Sequence, residues 1–432
     1  MPERGSRVLS ADIAIIGAGP AGIAAAVHAA GAGRSVVVLD AGPRPGGQIW
    51  RHRLREQLPR AAQRWLERFD RSGAVLLPEA SVVDAGAGTL LGAERHGRAI
   101  RVHAGAVVLA TGAQELFLPF PGWTLPNVLG VGGAQALLKA GMDVRGKRIA
   151  VVGTGPLLLP VAAALSRAGA NLRLVAEQAP AGRVLEFATS LWRTPGRMAQ
   201  ATAYRAAFAG TRYRWGTWVT QVTQANGELH AAYTDGRSRW AEPVDLLCTA
   251  SGLIPATELA RHIGCAVEGG RVVVDDAQRT SVPNVYAAGE PTGNAGVDAA
   301  LVEGAMAGLA AAGRESEARR FLAERDRHRR FADRAARAFR LREELRDRAR
   351  PDTVVCRCED VPLSALHPEW SARQAKLATR AGMGSCQGRV CGAALQHLFG
   401  LSADTVRVPV LPTPLGVLAD LTDSMDDSQG AA

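Results

Sequence analysis

Two stretches of the chain repeat one pattern of apolar and polar positions. Asp12-Ile-Ala-Ile-Ile16 is a short apolar run ending at Gly17. A helical stretch from Ala21 to Ala32 follows, and then Ser35-Val-Val-Val-Leu-Asp40. Short apolar runs flanking a helical period predict a β-α-β unit with buried parallel strands. The plan returns at Lys147-Arg-Ile-Ala-Val-Val-Gly153, a helix through Ala168, and Asn171-Leu-Arg-Leu-Val-Ala-Glu177. The pattern therefore predicts two dinucleotide-type folds. Between them, Leu118-Pro-Phe-Pro-Gly-Trp-Thr-Leu-Pro126 is Pro-rich and suits an inter-domain link. Strand-like pieces follow at Tyr213 to Val222 and Glu228 to Tyr233, and Phe321, Phe331, Phe339 and Leu345 recur among charges further on. That spacing predicts an amphipathic helical connector with a solvated face. Beyond Val408-Pro-Val-Leu-Pro-Thr-Pro414 the acidic end is expected to fray.

Composition narrows the class. A chain of 432 residues has room for two to four domains, and 21% charged with 47% hydrophobic residues is a soluble globular balance. The longest apolar run, Leu157 to Leu165, is short and broken by Pro160, so no membrane span is expected. The first residues carry no apolar signal core, which predicts a cytoplasmic protein whose cysteines do not form structural disulfides. Residues 314–350 hold 14 Arg against 8 Asp and Glu, and so supply +6 of the net charge of +10. The excess belongs to the connector, and no nucleic-acid partner is expected.

Gly17-Ala-Gly19-Pro-Ala-Gly22 follows a strand and opens a helix. Its glycines serve a tight turn, close approach of a pyrophosphate and close helix packing, with the helix N-terminus facing the phosphates. Asp40 ends the second strand, where a carboxylate accepts from a ribose hydroxyl. In the second fold, Gly153-Thr-Gly155-Pro-Leu-Leu158 loses the third glycine, which predicts different packing and a scaffold whose nucleotide role has lapsed. Glu177 leaves a ribose contact open there, with NAD favoured over NADP.

Four of the six cysteines form two tight pairs, Cys356-Arg-Cys358 and Cys386-Gln-Gly-Arg-Val-Cys391. Four thiolates together suit an iron–sulfur cluster, while zinc and a disulfide pair remain as alternatives. The glycines around the second pair permit dihedrals that point backbone amides at sulfur. Cys248 and Cys265 are expected to be core cysteines, and with no C-x-x-C a disulfide reductase is disfavoured. No histidine stands out as an acid–base catalyst, and no catalytic residue is assigned.

Gly46-Gly47-Gln48, Ala110-Thr111-Gly112 and Thr280 to Gly289-Glu290, taken with the first glycine motif, make residues 10 to 310 resemble the thioredoxin-reductase-like flavoproteins. The resemblance implies FAD held by Gly17, Gly19, Gly22, Asp40, Gly47, Gln48, Thr111, Gly112, Gly289 and Glu290. Glu290 stands where that family usually has Asp against the ribityl chain. The cysteine pattern resembles the [2Fe-2S] module of bacterioferritin-associated ferredoxin, with a longer second spacing. It implies Cys356, Cys358, Cys386 and Cys391 as cluster ligands.

The ordered string Pro-Gly-Trp-Thr-Leu-Pro, Gly-Gly-Ala-Gln-Ala-Leu-Leu-Lys, Gly-Pro-Leu-Leu-Leu, Ala-Gly-Glu-x-Thr-Gly and Arg-Ala-Gly-Met-Gly-x-Cys-Gln-Gly-Arg-x-Cys-Gly narrows the match. It resembles the α-type subunits of multi-subunit amino-acid dehydrogenases, among them D-hydroxyproline dehydrogenase, opine oxidase and hydrogen cyanide synthase. This resemblance implies an α/β chain with two Rossmann-like dinucleotide-binding domains, the second inserted in the first, and a small C-terminal [2Fe-2S] module. The boundaries expected are 10–125 and 245–312 for the FAD domain and 126–244 for the second fold. A connector at 313–350, the cluster module at 351–415 and a tail at 416–432 complete them. It also implies a D-amino-acid-oxidase-like flavoprotein partner, a small ferredoxin-like subunit in some members, and a quinone or other electron acceptor. Relatives hold ATP or NAD in the first fold, so these stay as alternatives to FAD. A stand-alone NADH-dependent acceptor reductase and an iron-handling partner are the competing readings.

Overall fold

The computed structural model describes residues 7–52, 58–86, 90–401 and 406–422. The chain divides into two compact units. One holds Met1–Gln114, Ile254–Ala332 and Thr405–Ala432; the other holds Glu115–Leu253 and Asp333–Asp404. Among the described residues no helix is long and apolar enough to cross a membrane.

In the first unit the predicted β-α-β unit is present as strand Arg7–Ile16, helix Pro20–Gly31 and strand Val36–Asp40. The sheet order is Val75–Pro78, Val36–Asp40, Arg7–Ile16, Arg98–Leu109, Leu90–Arg95, Ala80–Gly86, and Val285–Ala287 joins Arg98–Leu109. The central strands are parallel, with Ile16 beside both Leu39 and Leu109. Their carboxyl ends therefore lie level, which is where open α/β sheets place ligands. Ile13, Ile15 and Val38 enter the core on the side of helices Pro20–Gly31 and Val297–Ala311, and Ala14, Val37 and Leu39 enter the opposite one. Burial on both faces explains the unbroken apolar runs.

The second unit has a five-stranded parallel sheet, ordered Arg212–Trp215, Asn171–Glu177, Arg148–Gly153, Leu246–Ala250, Val128–Gly130. An antiparallel sheet of Trp218–Ala225, Glu228–Thr234 and Arg239–Val244 packs with it in one core. The loss of the third glycine has a visible cost. Helix Pro20–Gly31 begins one residue after Gly19, whereas helix Leu158–Arg167 begins three residues after Gly155. Leu158 is fully buried in the core, and its N–H donates to the Gly155 carbonyl at 3.2 Å.

Three expectations need correction. The Pro-rich stretch 118–126 does not join the two units but lies within the second, with Phe120 and Trp123 in the core beneath the antiparallel sheet. Of the end of the chain, residues 415–422 are helical, while the acidic residues 423–432 lie outside the described residues. Helix Leu415–Thr422 buries Val417 and Leu421 against Val83 and Ala99, and Arg101 donates to the carbonyls of Asp420 and Leu421. The connector is helical only in part. Helix Leu322–Ala338 gives way to a largely irregular segment, with one short 3-10 turn at Glu343–Leu345, that lies along the second unit.

Candidate cofactor sites

The ten residues expected at the first nucleotide site lie around the carboxyl ends of the central strands of the first unit. Gly17 turns the chain at φ 104°, and a Cβ there would stand 2.3 Å from the Ala110 carbonyl oxygen. A Cβ on Gly22 would stand 1.8 Å from the Gly17 carbonyl oxygen, so helix and turn touch at backbone distance. Gly47 lies against Gly19, its ideal Cβ 3.0 Å from the Gly19 Cα, and the Gly46 N–H donates to the Ala18 carbonyl at 2.7 Å. Gln48 continues this turn, and Arg51 donates to its side-chain carbonyl. Thr111 Oγ1 donates to the Ala256 carbonyl at 2.6 Å, and the Ala256 N–H donates to the Gly112 carbonyl.

The face of Gly19 is open: a Cβ there would meet nothing within 4 Å. No side chain caps the helix that begins at Pro20. Its first N–H groups therefore present partial positive charge to an anion. Asp40 closes the loop beneath them. Its Oδ2 accepts from the Ala18 N–H at 2.5 Å and its Oδ1 from the Gly42 N–H at 2.7 Å. Burial raises its pKa, against the pull of those two amides and Arg51. The carboxylate thus builds the loop first, with lone pairs left over for a ribose.

Gly289 sits across the same opening, its ideal Cβ 2.9 Å from the Ala21 Cβ. Glu290 follows. Burial alone raises its pKa, and its carboxylate has no hydrogen-bond or ion-pair partner among the described residues. A half-buried carboxyl without a donor fits a site that a hydroxyl-bearing ligand completes.

What holds this turn lies outside the sequence motifs. Glu303, 2% exposed, accepts from the Gly289 N–H at 2.9 Å and from Thr292 Oγ1 at 2.7 Å. Arg329 pairs with Glu303 at 2.9 Å and donates to Gln278, which in turn donates to the Ala287 carbonyl. One signal was present: Glu303 is the only charge between Ala299 and Ala312 in an otherwise apolar helix.

The cysteine pairs lie in a small module of the second unit. Strand Val354–Cys356 pairs with Val361–Pro362, and helices Ala372–Thr379 and Cys391–Phe399 cover the hairpin. Cys356 and Cys391 are buried, Cys386 is half-buried and Cys358 is exposed. Cys391 meets Cys356, the charge of Cys386 acts on it from further off, and burial pushes its thiol up to about 12. The Cys386 N–H and thiol hold Cys358 below its usual value. Gly384 is required here, since a Cβ would stand 2.2 Å from the Cys358 Cβ. Arg380 donates to Glu359 at 2.8 Å across the two cysteine loops. Among the described residues no three His, Cys, Asp or Glu side chains converge as ligands of one metal ion. The thiols are instead arranged in pairs. Cys248 is buried in the core with its thiol pushed up to about 12, and Cys265 donates to Thr280 at 3.5 Å.

In the second fold Glu177 is 1% exposed, and burial pushes its pKa up to about 7. Its two oxygens accept from the Gly155 and Ala179 N–H groups at 2.7 and 2.8 Å. It is therefore turned toward its own loop.

The family model for pyridine nucleotide-disulphide oxidoreductases matches residues 11–312. The chain is 31% identical over 467 positions to one of the subunits of opine oxidase from Agrobacterium tumefaciens, covering 95% of this chain and 92% of that one. It is 32% identical over 422 positions to the HcnB subunit of hydrogen cyanide synthase from Pseudomonas aeruginosa, covering 87% and 90%. Among solved structures, L-proline dehydrogenase from P. horikoshii aligns with a TM-score of 0.67 at 20% identity, over 96% of this chain and 81% of that one. Thioredoxin reductase from T. acidophilum gives 0.56 at 23% identity, over 70% and 98%. At these identities the two structures speak for the fold.

Proposed function

The chain belongs to the pyridine nucleotide-disulphide oxidoreductase family and is an FAD-dependent oxidoreductase, and from this we propose that it is the electron-transfer subunit of a multi-subunit amino-acid dehydrogenase. D-hydroxyproline is the first candidate substrate, followed by opines and glycine. The observation that carries the reading is the gathering of four cysteine thiols in one small module, on a chain whose first fold keeps an open glycine turn.

The roles of the chain's residues follow from their positions. Gly19 and the first turn of helix Pro20–Gly31 take a pyrophosphate, which Gly17 and Gly22 admit by leaving backbone against backbone. Asp40 accepts from the ribose. Glu290, held in place through Gly289 by Glu303, accepts from a ribityl hydroxyl. Gly47, Gln48, Thr111 and Gly112 complete the rim. FAD fits this set best, with ATP or NAD as the alternatives.

Cys356, Cys358, Cys386 and Cys391 would supply four sulfurs, the soft ligands that a [2Fe-2S] cluster takes. A flavin takes electrons in pairs and releases them singly, and a [2Fe-2S] cluster carries one at a time, so the two together link a two-electron donor to a one-electron acceptor. The amine is oxidised to the imine on a D-amino-acid-oxidase-like partner, which loses two electrons to this chain. A quinone or other carrier, or a small ferredoxin-like protein, receives them.

An anaerobic ultraviolet–visible spectrum of the purified chain, before and after dithionite, tests the assignment. Flavin bands over a broad red-shifted absorbance, both bleaching, are expected. A flavin-free spectrum, or rapid oxidation of D-hydroxyproline by the isolated chain, would sink it.

A further inference from the structure

The carboxyl edge of the second parallel sheet is already covered. Thr154, in the middle of the second glycine turn, donates through Oγ1 to the Phe339 carbonyl at 2.9 Å. Gln178, the first residue beyond strand Asn171–Glu177, is 1% exposed. Its Nε2 donates to Thr154 Oγ1 at 2.9 Å and to the Arg340 carbonyl at 3.2 Å, and its Oε1 accepts from the Arg342 N–H at 3.1 Å. The Phe339 ring meets Phe187 edge-on with centroids 5.2 Å apart. Leu345 is buried between Leu118 and Trp218. Arg348 donates to the Leu118 carbonyl at 2.9 Å and stacks on Phe120. What remains above Gly153 and Thr249 is a cavity of about 10 Å³ lined also by Leu345 and Arg348. That is room for about one water.

A second difference points the same way. In the first fold Asp40 takes the amide of Ala18 and leaves that of Gly19. In the second fold Glu177, one methylene longer, reaches the amide of Gly155, the counterpart of Gly19. The donor that would meet a pyrophosphate is spent inside the protein.

We propose that residues 339–348 are the resident occupant of the second dinucleotide fold, which serves as the dock for the segment leading into the cysteine module and takes no NAD(P)H. This deepens the electron-transfer reading above and rests on it in one respect: electrons enter from a protein partner and not from a nicotinamide nucleotide.

Hydrogen-exchange mass spectrometry on the full-length protein tests this, with NADH and then NADPH added to about 1 mM, the top of the usual KM range. No change is expected at 151–158 or 339–348. Protection at 151–158 with release of 339–348, or bleaching of the flavin by NADH, overturns the proposal. Thr154→Val with Gln178→Leu removes the side-chain hydrogen bonds to Phe339, Arg340 and Arg342, and exchange at 339–342 should rise roughly tenfold or more. Unchanged exchange also overturns it. Should that pair fail to fold, Thr154→Val alone gives the same reading at roughly fivefold. A preparation lacking flavin or iron would undo the preceding reading but leave these exchange data intact.

Discussion

At the residue scale, the two carboxylates that end the second strand of each fold show how one methylene redirects a side chain. Asp40 keeps lone pairs toward the opening, while Glu177 is buried with both oxygens on its own loop. Burial is the largest influence on Glu177, whose folded value of about 7 lies above its free value of 4.5. The folded state therefore holds this proton more tightly than the unfolded chain. The associated stability is fully present below about pH 4.5 and is lost as the pH rises through 7, up to ~3 kcal/mol at 1.36 kcal/mol per unit. Glu177→Gln should flatten that fall, measured as the urea midpoint between pH 4.5 and 7. An unchanged slope would show that another group carries it. Asp40 and Glu177 were both legible from spacing, but which amides each would take was not.

At the element scale, the third glycine of the motif sets where a helix begins. With Gly22, helix Pro20–Gly31 starts against the turn; with Leu158, the second helix starts two residues later relative to the motif. Gly22→Ala places a methyl 1.8 Å from the Gly17 carbonyl oxygen and forces the same retreat. The expected result is about 1–3 kcal/mol of lost stability and a protein purified with little bound flavin. The flavin-to-protein absorbance ratio and a thermal melt check this, and a fully loaded, equally stable variant would contradict it. The glycine pattern predicted this helix contact because sterics at backbone distance are local. The burial of Phe120 and Trp123 was not visible, since a Pro-rich stretch that links domains and one that lines a core look alike in sequence.

At the scale of the whole molecule, the cysteine module is fastened to its own unit by more than the covalent chain. The Trp123 indole N–H donates to the Val354 carbonyl at 2.6 Å, two residues before Cys356, and Arg350 donates to Gln221 at 2.9 Å. Trp123→Phe keeps most of the ring and loses the donor. It should cost about 1 kcal/mol and raise amide exchange across 354–358. No change in exchange there would mean the bond is dispensable.

The sequence alone determined the two β-α-β units, the glycine turn that opens helix Pro20–Gly31 and the spacing of the four cysteines along the chain. Those features depend on local periodicity, backbone sterics and ligand chemistry, all written in short segments. Only the tertiary structure decided that Glu303 holds the Gly289 turn, that helix Leu415–Thr422 packs onto a strand, and that residues 339–348 fill the second fold. Each joins segments distant in the chain. Contacts of that kind arise from where folded elements come to lie, which no short pattern of residues encodes.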